Sequence, residues 1–372
     1  MSPTSDTLPA GATFSALGDT FGTLLSRVRP AIEARLDRLW ETRLDALRRH
    51  GPEVLTMAAA ARDLTLRGGK RYRAALLAAA YGGVKPDAPI EPALQGGVAL
   101  ELLQTYLLIQ DDWMDGDTTR RGGPSVHTAL SVALGEHLGA ASAMLSSDLT
   151  FGMAFQVLTH LDVPAPAVVD TVRAFCRMND DVVIGQQIDL LGRAEDVEAM
   201  HDLKTGSYTV RGPLNLGATM AGAPKHTLAA LERFAAPVGV AFQLRDDLLG
   251  TFGSSKQTGK PVGNDLRAGK RTAILAEADA RLDAEGRAAV DRVLGHADAG
   301  PADLVAATSA LETCGARMAV VDRLCRLCDE AEALAESLPV AHAARNILAG
   351  SASALRPKME DTWGSSVSMV IG

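Results

Sequence analysis

The segment QDDWMDGDTTRRGG, from Gln110 to Gly123, concentrates opposite charges directly after the apolar run LLIQ. Aspartates stand at positions 111, 112, 115 and 117, and Arg120 and Arg121 follow them. On a helix, Asp111 and Asp115 share one face, and at that spacing like charges repel. Mg²⁺ offsets such repulsion, because it binds carboxylate oxygens and keeps positions open for water and substrate phosphates. The segment therefore indicates a site for a cation and an anion, with solvated surface ion pairs as the alternative.

A second pair of carboxylates, Asp246 and Asp247, ends another apolar stretch, VAFQLRDDLLG. Basic residues in glycine-rich contexts accompany the two pairs: Lys70 and Arg73 in GGKRYR, Lys204, Lys260 and Lys270. Carboxylates bind metals, metals bridge to phosphate, and lysines and arginines complete the phosphate shell. Each feature alone is a weak signal, since acidic helix ends and basic loops are usually just solvated. Together, at the ends of apolar helices, they predict diphosphate substrates.

The composition favours a large helical protein. The chain has 372 residues, 47% hydrophobic and 4% aromatic, and alanine and leucine dominate, which favours helix. The formal net charge of -8 argues against a nucleic-acid partner, because phosphate backbones bind basic faces. No apolar run reaches the roughly 18 residues of a membrane span. Four cysteines are few for this length, and they predict a reducing, cytoplasmic location.

Helical periodicity along most of the chain predicts one all-α domain, residues 15–357. Residues 1–14 are expected to form a flexible lead and residues 358–372 a loosely ordered tail. No strand pairs are expected. The glycine- and lysine-rich stretch from Gly250 to Arg271 is the longest interruption, and a loop of that length is often functional. Cys325 and Cys328 form a CxxC within a helical stretch, which favours ordinary packing, since a zinc site needs more ligands.

From about Leu66 to about Arg356, the chain resembles trans-isoprenyl diphosphate synthases, and more narrowly bacterial geranylgeranyl diphosphate synthases. The motifs that carry the resemblance are GGKRYR, ELLQTYLLIQDDWMDGDTTRRGGPSVH, GQQIDL, LKTGSYT, FQLRDDLLG and TGKPVGNDLRAGKRT. It implies an isoprenoid-synthase-type helical bundle around a deep central cavity, usually as a homodimer. It also implies condensation of isopentenyl diphosphate with an allylic diphosphate by ionisation, condensation and elimination.

The resemblance also implies roles for individual residues. The isopentenyl diphosphate would be bound by Lys70, Arg73, Gln104 and Arg121. The allylic diphosphate would be bound by Arg120, Lys204, Thr205, Gln243, Lys260 and Lys270. About three magnesium ions would be held by Asp111, Asp115 and Asp246, with Asp112 and Asp247 behind these ligands. The residues of direct catalytic importance would be Asp111, Asp115, Asp246, Arg120, Lys204 and Lys260. The GQxxD stretch, with Gly185, Gln186 and Asp189, would flank the cavity.

Two positions depart from the family pattern. Gln104 stands where many bacterial members have histidine, but its amide still donates to a phosphate oxygen. Gly250 replaces the third aspartate of the second acidic motif. We expect activity to survive this change, and we expect an aspartate restored at 250 to leave the reaction unchanged.

Residues one to two turns before Asp111 are expected to line the cavity that receives the growing chain. Tyr106 is the only large aromatic there, with the smaller Leu107 beside it. With an aromatic residue at this position, the chain resembles family members that stop at geranylgeranyl diphosphate. We therefore expect geranylgeranyl diphosphate as the main product. Farnesyl diphosphate or a longer chain is the alternative product. The alternative interpretation of Tyr106 is a tyrosine that only packs in the core.

Two rival functions are weaker. A class I terpene cyclase also ionises a diphosphate at an acidic motif, but it needs no second diphosphate site such as the one that GGKRYR suggests. A non-catalytic subunit of a two-component prenyl synthase usually lacks one acidic motif or its lysines, and nearly all of these are present here.

Overall fold

The computed structural model describes residue 8 and residues 11–191, 197–253 and 263–357. The predicted all-α fold is confirmed. The first half contains α1 (Phe21–Leu47), α2 (Pro52–Leu66), α3 (Tyr72–Val84), α4 (Glu91–Met114), α5 (Val126–Leu134), α6 (Glu136–Thr159) and α7 (Ala165–Leu191). The second half contains α8 (Val197–His201), a π-helix (Asp202–Arg211), α9 (Gly212–Met220), α10 (Lys225–Phe252), α11 (Asn264–Arg267), α12 (Ala273–Asp279), α13 (Ala284–Asp291), α14 (Pro301–Thr313), α15 (Ala316–Glu336) and α16 (His342–Ser353).

Helix α4 lies at the centre, packed against α3 and α6. Its sequence is apolar on nearly every side, and such a helix is stable only when other helices surround it. Gly97 on α4 allows α1 and α3 to approach α4 closely, since a β-carbon at this position would lie 2.8 Å from Cδ1 of Ile32 and 3.1 Å from Cβ of Ala74. The first acidic cluster therefore ends a rigid, buried element.

A short hairpin follows α4, contrary to the expectation that the chain forms no strand pair. Strand β1 (Thr119–Arg120) pairs antiparallel with β2 (Gly123–Pro124). The connecting residues Arg121 and Gly122 have φ values of 53° and 74°, the left-handed conformation that a tight two-residue hairpin turn requires. Strands of two residues show no alternation of apolar and polar positions, so periodicity could not reveal them.

The segment Asp202–Arg211 forms a π-helix, a rare conformation that is frequent at functional sites. It packs against α7 and α10. Gly185 on α7 is required for this packing, because a β-carbon there would overlap the backbone nitrogen of Lys204. The glycine of the GQxxD stretch thus brings Lys204 close to α7.

The end of the expected lead docks on the bundle. The carbonyl of Ala12 accepts a hydrogen bond from the backbone N–H of Ile90 at 2.9 Å, and Phe14 is buried. Most of residues 1–14, and the whole expected tail 358–372, lie outside the described residues. Within the described ranges, no single helix is both long and apolar enough to cross a membrane.

Candidate active site

Arg120 lies among three aspartates of the first acidic cluster. Its Nε donates to Oδ1 of Asp112 at 2.5 Å, and its Nη2 lies 3.2 Å from Oδ2 of Asp111 and 3.3 Å from Oδ2 of Asp117. Burial raises the pKa of Asp112 to about 6, although the bond to Arg120 opposes the shift. We expected Arg120 to contact the allylic diphosphate. Here its guanidinium is the counter-ion that allows Asp112 to be fully buried.

Two lysines that are distant in sequence reach the same cluster. Nζ of Lys204 lies 3.5 Å from Oδ1 of Asp111, and Nζ of Lys270 lies 3.5 Å from Oδ2 of Asp115. Burial lowers the pKa of Lys270, but Asp115 and other carboxylates outweigh this effect and raise the pKa overall. Both predicted lysines are therefore adjacent to the predicted metal ligands and carry a positive charge there.

The second acidic pair divides into an exposed and a buried member. Asp246 is exposed, whereas Asp247 is 3% exposed. Nε2 of Gln243 donates to Oδ1 of Asp247 at 2.7 Å, and the backbone N–H of Ala273 donates to Oδ2 at 2.9 Å. Burial raises the pKa of Asp247 to about 7, although these bonds oppose the shift. Asp247 thus ties α10 to the start of α12, and Gln243 holds Asp247, while Asp246 remains open to solvent.

The space beside Gly250 is occupied by Asp265. A β-carbon at Gly250 would overlap Oδ2 of Asp265 and lie 2.7 Å from its Cγ. A side chain at position 250 would therefore require the Asp265 carboxylate to move, and the expectation that an aspartate restored at 250 leaves the reaction unchanged stays a prediction. Asp265 was not among the predicted site residues. Its available signal was its place midway between Lys260 and Lys270.

Arg71, which sequence reasoning also missed, holds the GGKRYR segment in place. It adopts a left-handed φ of 52° immediately before α3 and is 3% exposed. Its Nη1 donates to Oε2 of Glu101 at 2.6 Å, and its Nη2 donates to the carbonyl of Thr65 at 3.0 Å. Removing either partner of such a buried pair leaves an uncompensated charge. The segment that carries Lys70 and Arg73 is consequently fixed to α4, and the signal was Glu101, a charge within the apolar part of that helix.

Lys70 and Arg73, which we expected to bind one diphosphate, have different surroundings. Lys70 is exposed, whereas Arg73 is 9% exposed. Nη2 of Arg73 donates to Oγ1 of Thr209 at 2.7 Å, and its guanidinium carbon lies 4.2 Å from the ring centroid of Tyr208. Arg73 thus contacts the π-helix, and Lys70 is available to a ligand in solution.

Arg121 joins the hairpin to the loop that precedes α3. Its Nη1 donates to the carbonyl oxygens of Leu64 at 3.3 Å and Gly68 at 3.0 Å. Burial lowers the pKa of Arg121 to about 10; Glu101 opposes this shift, and neighbouring arginines add to it. A concentration of buried guanidinium groups favours binding of an anion such as a diphosphate.

Two residues of the GQxxD stretch contact Lys204 or the helix that carries the first acidic cluster. Asp189 accepts a hydrogen bond from Lys204 at 2.5 Å, and Nε2 of Gln186 lies 3.7 Å from the sulfur of Met114. The GQxxD stretch therefore supports the first acidic cluster. Gln104, Leu107 and Thr205 are half-buried. Lys260 lies outside the described residues.

Tyr106 belongs to a group of aromatic rings between α4, α6 and α7. Its ring stacks on Phe151, with centroids 4.6 Å apart and planes 28° apart. Phe151 in turn contacts Phe155 at 5.0 Å and Phe175 at 6.0 Å. Sequence reasoning singled out Tyr106, with Leu107 beside it, and none of the phenylalanines. The signal for its partners was the pair of phenylalanines in FGMAF, one helical turn apart and therefore on one face.

The donor set suits magnesium, although no preformed cage exists in the described ranges, where no three acidic, histidine or cysteine side chains converge on one point. Every candidate ligand is a carboxylate, and Mg²⁺ typically binds one or two of these and completes its shell with water and substrate phosphates. Oδ2 of Asp112 is buried without a hydrogen-bond donor among the described residues. The carboxylates of Asp111 and Asp115 already attract cations, in the form of lysine ammonium groups.

Comparison with known proteins agrees with this geometry. Residues 55–311 match the family model described as polyprenyl synthetase. The chain is 34% identical to the short chain isoprenyl diphosphate synthase of Methanocaldococcus jannaschii, over 64% of this chain and 70% of that protein. It is 32% identical to the farnesyl diphosphate synthase of Geobacillus stearothermophilus, over 69% of this chain and 85% of that protein. The crystal structure of a geranylgeranyl pyrophosphate synthase from Corynebacterium glutamicum, complexed with isoprenyl diphosphate and magnesium, superposes with a TM-score of 0.83 at 31% identity, covering 89% of this chain and 98% of that one.

Proposed function

Since the chain belongs to the polyprenyl synthetase family, we propose that it is a trans-prenyltransferase whose main product is geranylgeranyl diphosphate. It condenses isopentenyl diphosphate with an allylic diphosphate. The allylic carbon–oxygen bond breaks and releases diphosphate, the double bond of isopentenyl diphosphate attacks the resulting cation, and loss of a proton restores a double bond. Farnesyl diphosphate is the second candidate product, because curated relatives carry that name as well.

The observation that carries the proposal is the pairing of Lys204 with Asp111 and of Lys270 with Asp115. Ammonium groups at this place stabilise the negative charge that develops on the departing diphosphate, and groups fixed before the reaction need no reorganisation. A solvated acidic helix end would not hold two lysines from separate parts of the chain, the π-helix and the loop before α12. The arrangement therefore supports cleavage of a diphosphate ester.

Magnesium is the metal that the carboxylates suit, and when bound it supplies Lewis-acid stabilisation of the diphosphate oxygens. We assign Asp111, Asp115 and Asp246 as its ligands, with about three ions per site. Asp112 and Asp247 position these ligands through their contacts with Arg120 and Gln243. Arg120 and Lys260 complete the allylic site in this proposal.

Isopentenyl diphosphate is assigned to the basic group formed by Lys70, Arg73 and Arg121, with Gln104 as an amide donor. Burial lowers the pKa of Arg121, and the charges of neighbouring arginines lower it further. A bound anion would relieve the repulsion between these arginines, which supports the assignment. The aromatic rings of Tyr106 and Phe151 supply an apolar wall that keeps water from the allylic cation.

Exposed apolar residues support a homodimer. On α6, Leu138 and Leu145 are each 59% exposed and lie two turns apart on one face. On α7, Val183 and Ile184 are 47% and 52% exposed. Aligned apolar residues of this kind mark surfaces of protein association.

We also assign the enzyme to the cytoplasm. All four cysteines are free, and a reducing compartment keeps cysteines in that state.

The decisive experiment is incubation of the purified chain with isopentenyl and farnesyl diphosphates and Mg²⁺, followed by chromatographic sizing of the products. Geranylgeranyl diphosphate as the main product is the expected result. A cyclic hydrocarbon without consumption of isopentenyl diphosphate would indicate a terpene cyclase. No turnover by the folded protein alone would indicate a non-catalytic subunit.

A further inference from the structure

We propose that Asp265 supplies the carboxylate that Gly250 lacks, and that it acts with Asp246 on magnesium at the end of α10. The inference rests on the proposed function, in which Asp246 is a metal ligand. Asp265 would contact either the ion or a water molecule bound to it, and in both cases its loss weakens binding of the ion.

The first argument is the shared space. Gly250 lies one helical turn after Asp246, so a side chain at 250 would share a face of α10 with the Asp246 carboxylate. The β-carbon of such a side chain would overlap Oδ2 of Asp265. A carboxylate therefore already stands on that face, although it comes from α11, a different element. The sequence of α10 lacks an acidic residue at position 250, whereas the folded chain has the carboxylate of Asp265 at that point.

The second argument is the electrostatic surroundings of Asp265. The backbone N–H of Lys270 donates to the carbonyl of Asp265 at 3.0 Å. Lys270 lies 3.5 Å from Asp115 of the first acidic cluster. The carboxylate of Asp265 thus lies beside Gly250 of the second acidic motif, and its backbone is bonded to a lysine that reaches the first cluster. A negative charge at this place strengthens attraction of a cation to both clusters.

The third argument is that α11 is anchored. Leu266, next to Asp265, is 1% exposed, and its carbonyl accepts a hydrogen bond from Gly295 at 2.9 Å. Side chains on anchored elements position a metal site better than side chains on loops do. The carboxylate of Asp265 is therefore held in place by a buried neighbour.

The direct test measures Mn²⁺ as a probe for the metal, by electron paramagnetic resonance, with inorganic pyrophosphate present and no prenyl substrate. Asp265→Asn should weaken the binding of at least one Mn²⁺ ion by about 10-fold or more, the usual effect of removing a group that supports a metal ligand. Asp246→Asn should weaken the same ion. Asp322→Asn, an exposed aspartate on α15, removes the same charge and should bind Mn²⁺ as the parent does. Equal Mn²⁺ binding by parent and Asp265→Asn would overturn the inference.

An exchange of the two residues tests the shared space. Gly250→Asp alone should lower both the melting temperature and Mn²⁺ binding, because two carboxylates compete for one volume. The double variant Gly250→Asp with Asp265→Gly should recover Mn²⁺ binding to within about 3-fold of the parent, since one carboxylate is again present. A single Gly250→Asp variant that binds and melts like the parent would contradict the overlap.

The outcomes separate this inference from the proposed function. If Mn²⁺ binding depends on Asp265 but the parent elongates no prenyl chain, the proposed function fails and the metal assignment stands. If the parent makes geranylgeranyl diphosphate while Asp265→Asn binds Mn²⁺ normally, only the assignment of Asp265 fails.

Discussion

Nη2 of Arg73 donates to Oγ1 of Thr209 at 2.7 Å, so one hydrogen bond joins the GGKRYR segment to the π-helix that carries Lys204. The ring of Tyr208 lies against the same guanidinium and adds a cation–π contact. The two proposed diphosphate sites therefore share a structural connection. Lys70 takes no part in this connection. Lys70 and Arg73, which the sequence assigns to the same diphosphate, therefore have different structural roles.

Lys70→Ala should raise the KM for isopentenyl diphosphate by about 10-fold, the loss expected for one charge-assisted contact, and leave the allylic KM nearly unchanged. Arg73→Ala should raise both KM values, because the π-helix loses a contact that supports Lys204. Thr209→Val, which keeps the guanidinium but removes its acceptor, should affect mainly the allylic KM. Steady-state kinetics with each substrate varied in turn gives all three values. An equal loss for both substrates in Lys70→Ala would argue against two separate sites.

The fold class and the candidate site residues could be predicted from the sequence because both depend on local patterns. Apolar periodicity specifies helices, and paired aspartates at helix ends specify the acidic clusters. Arg71, Asp265 and the phenylalanines around Tyr106 were missed because their roles depend on which distant elements pack together. Asp265 shows the limit best. Its partner position, Gly250, lies on another helix, and nothing in the intervening sequence indicates that the two meet.

Activity should require a divalent metal. Excess chelator should abolish product formation, and added Mg²⁺ should restore it, because metal ions are needed to stabilise the charge on the leaving diphosphate. Asp111→Ala or Asp246→Ala should lower turnover by at least about 100-fold. Asp170→Ala, an exposed aspartate on α7, is the matched control and should retain parental turnover. Full activity in excess chelator would refute the metal assignment.

The buried pair of Arg71 and Glu101 should make a large contribution to stability. Their side chains are 1% and 2% exposed, and removal of one partner from such a pair costs about 3–5 kcal/mol. Glu101→Gln should therefore lower the free energy of unfolding, measured by urea denaturation, far more than Glu33→Gln does. Glu33 is the control because it also faces Arg71, at 3.6 Å, but is 36% exposed. Similar losses for the two variants would mean that burial of the pair is unimportant.

The length of the product should depend on Tyr106 together with its stacking partner. Tyr106→Ala removes one ring, but Phe151 remains 4.6 Å from the vacated position and still narrows the space between α4 and α6. We therefore expect a partial shift towards longer chains in Tyr106→Ala and a larger shift when Phe151→Ala is added. Tyr106→Phe keeps the ring and should give the parental product, which separates the volume of the side chain from its hydroxyl. Tyr106→Ala removes a buried ring at a cost of about 3–5 kcal/mol, and Phe151→Ala removes a half-buried one. Circular dichroism must therefore first show that the variants fold. If chromatography then finds the parental length distribution in the folded double variant, this aromatic group does not set the product length.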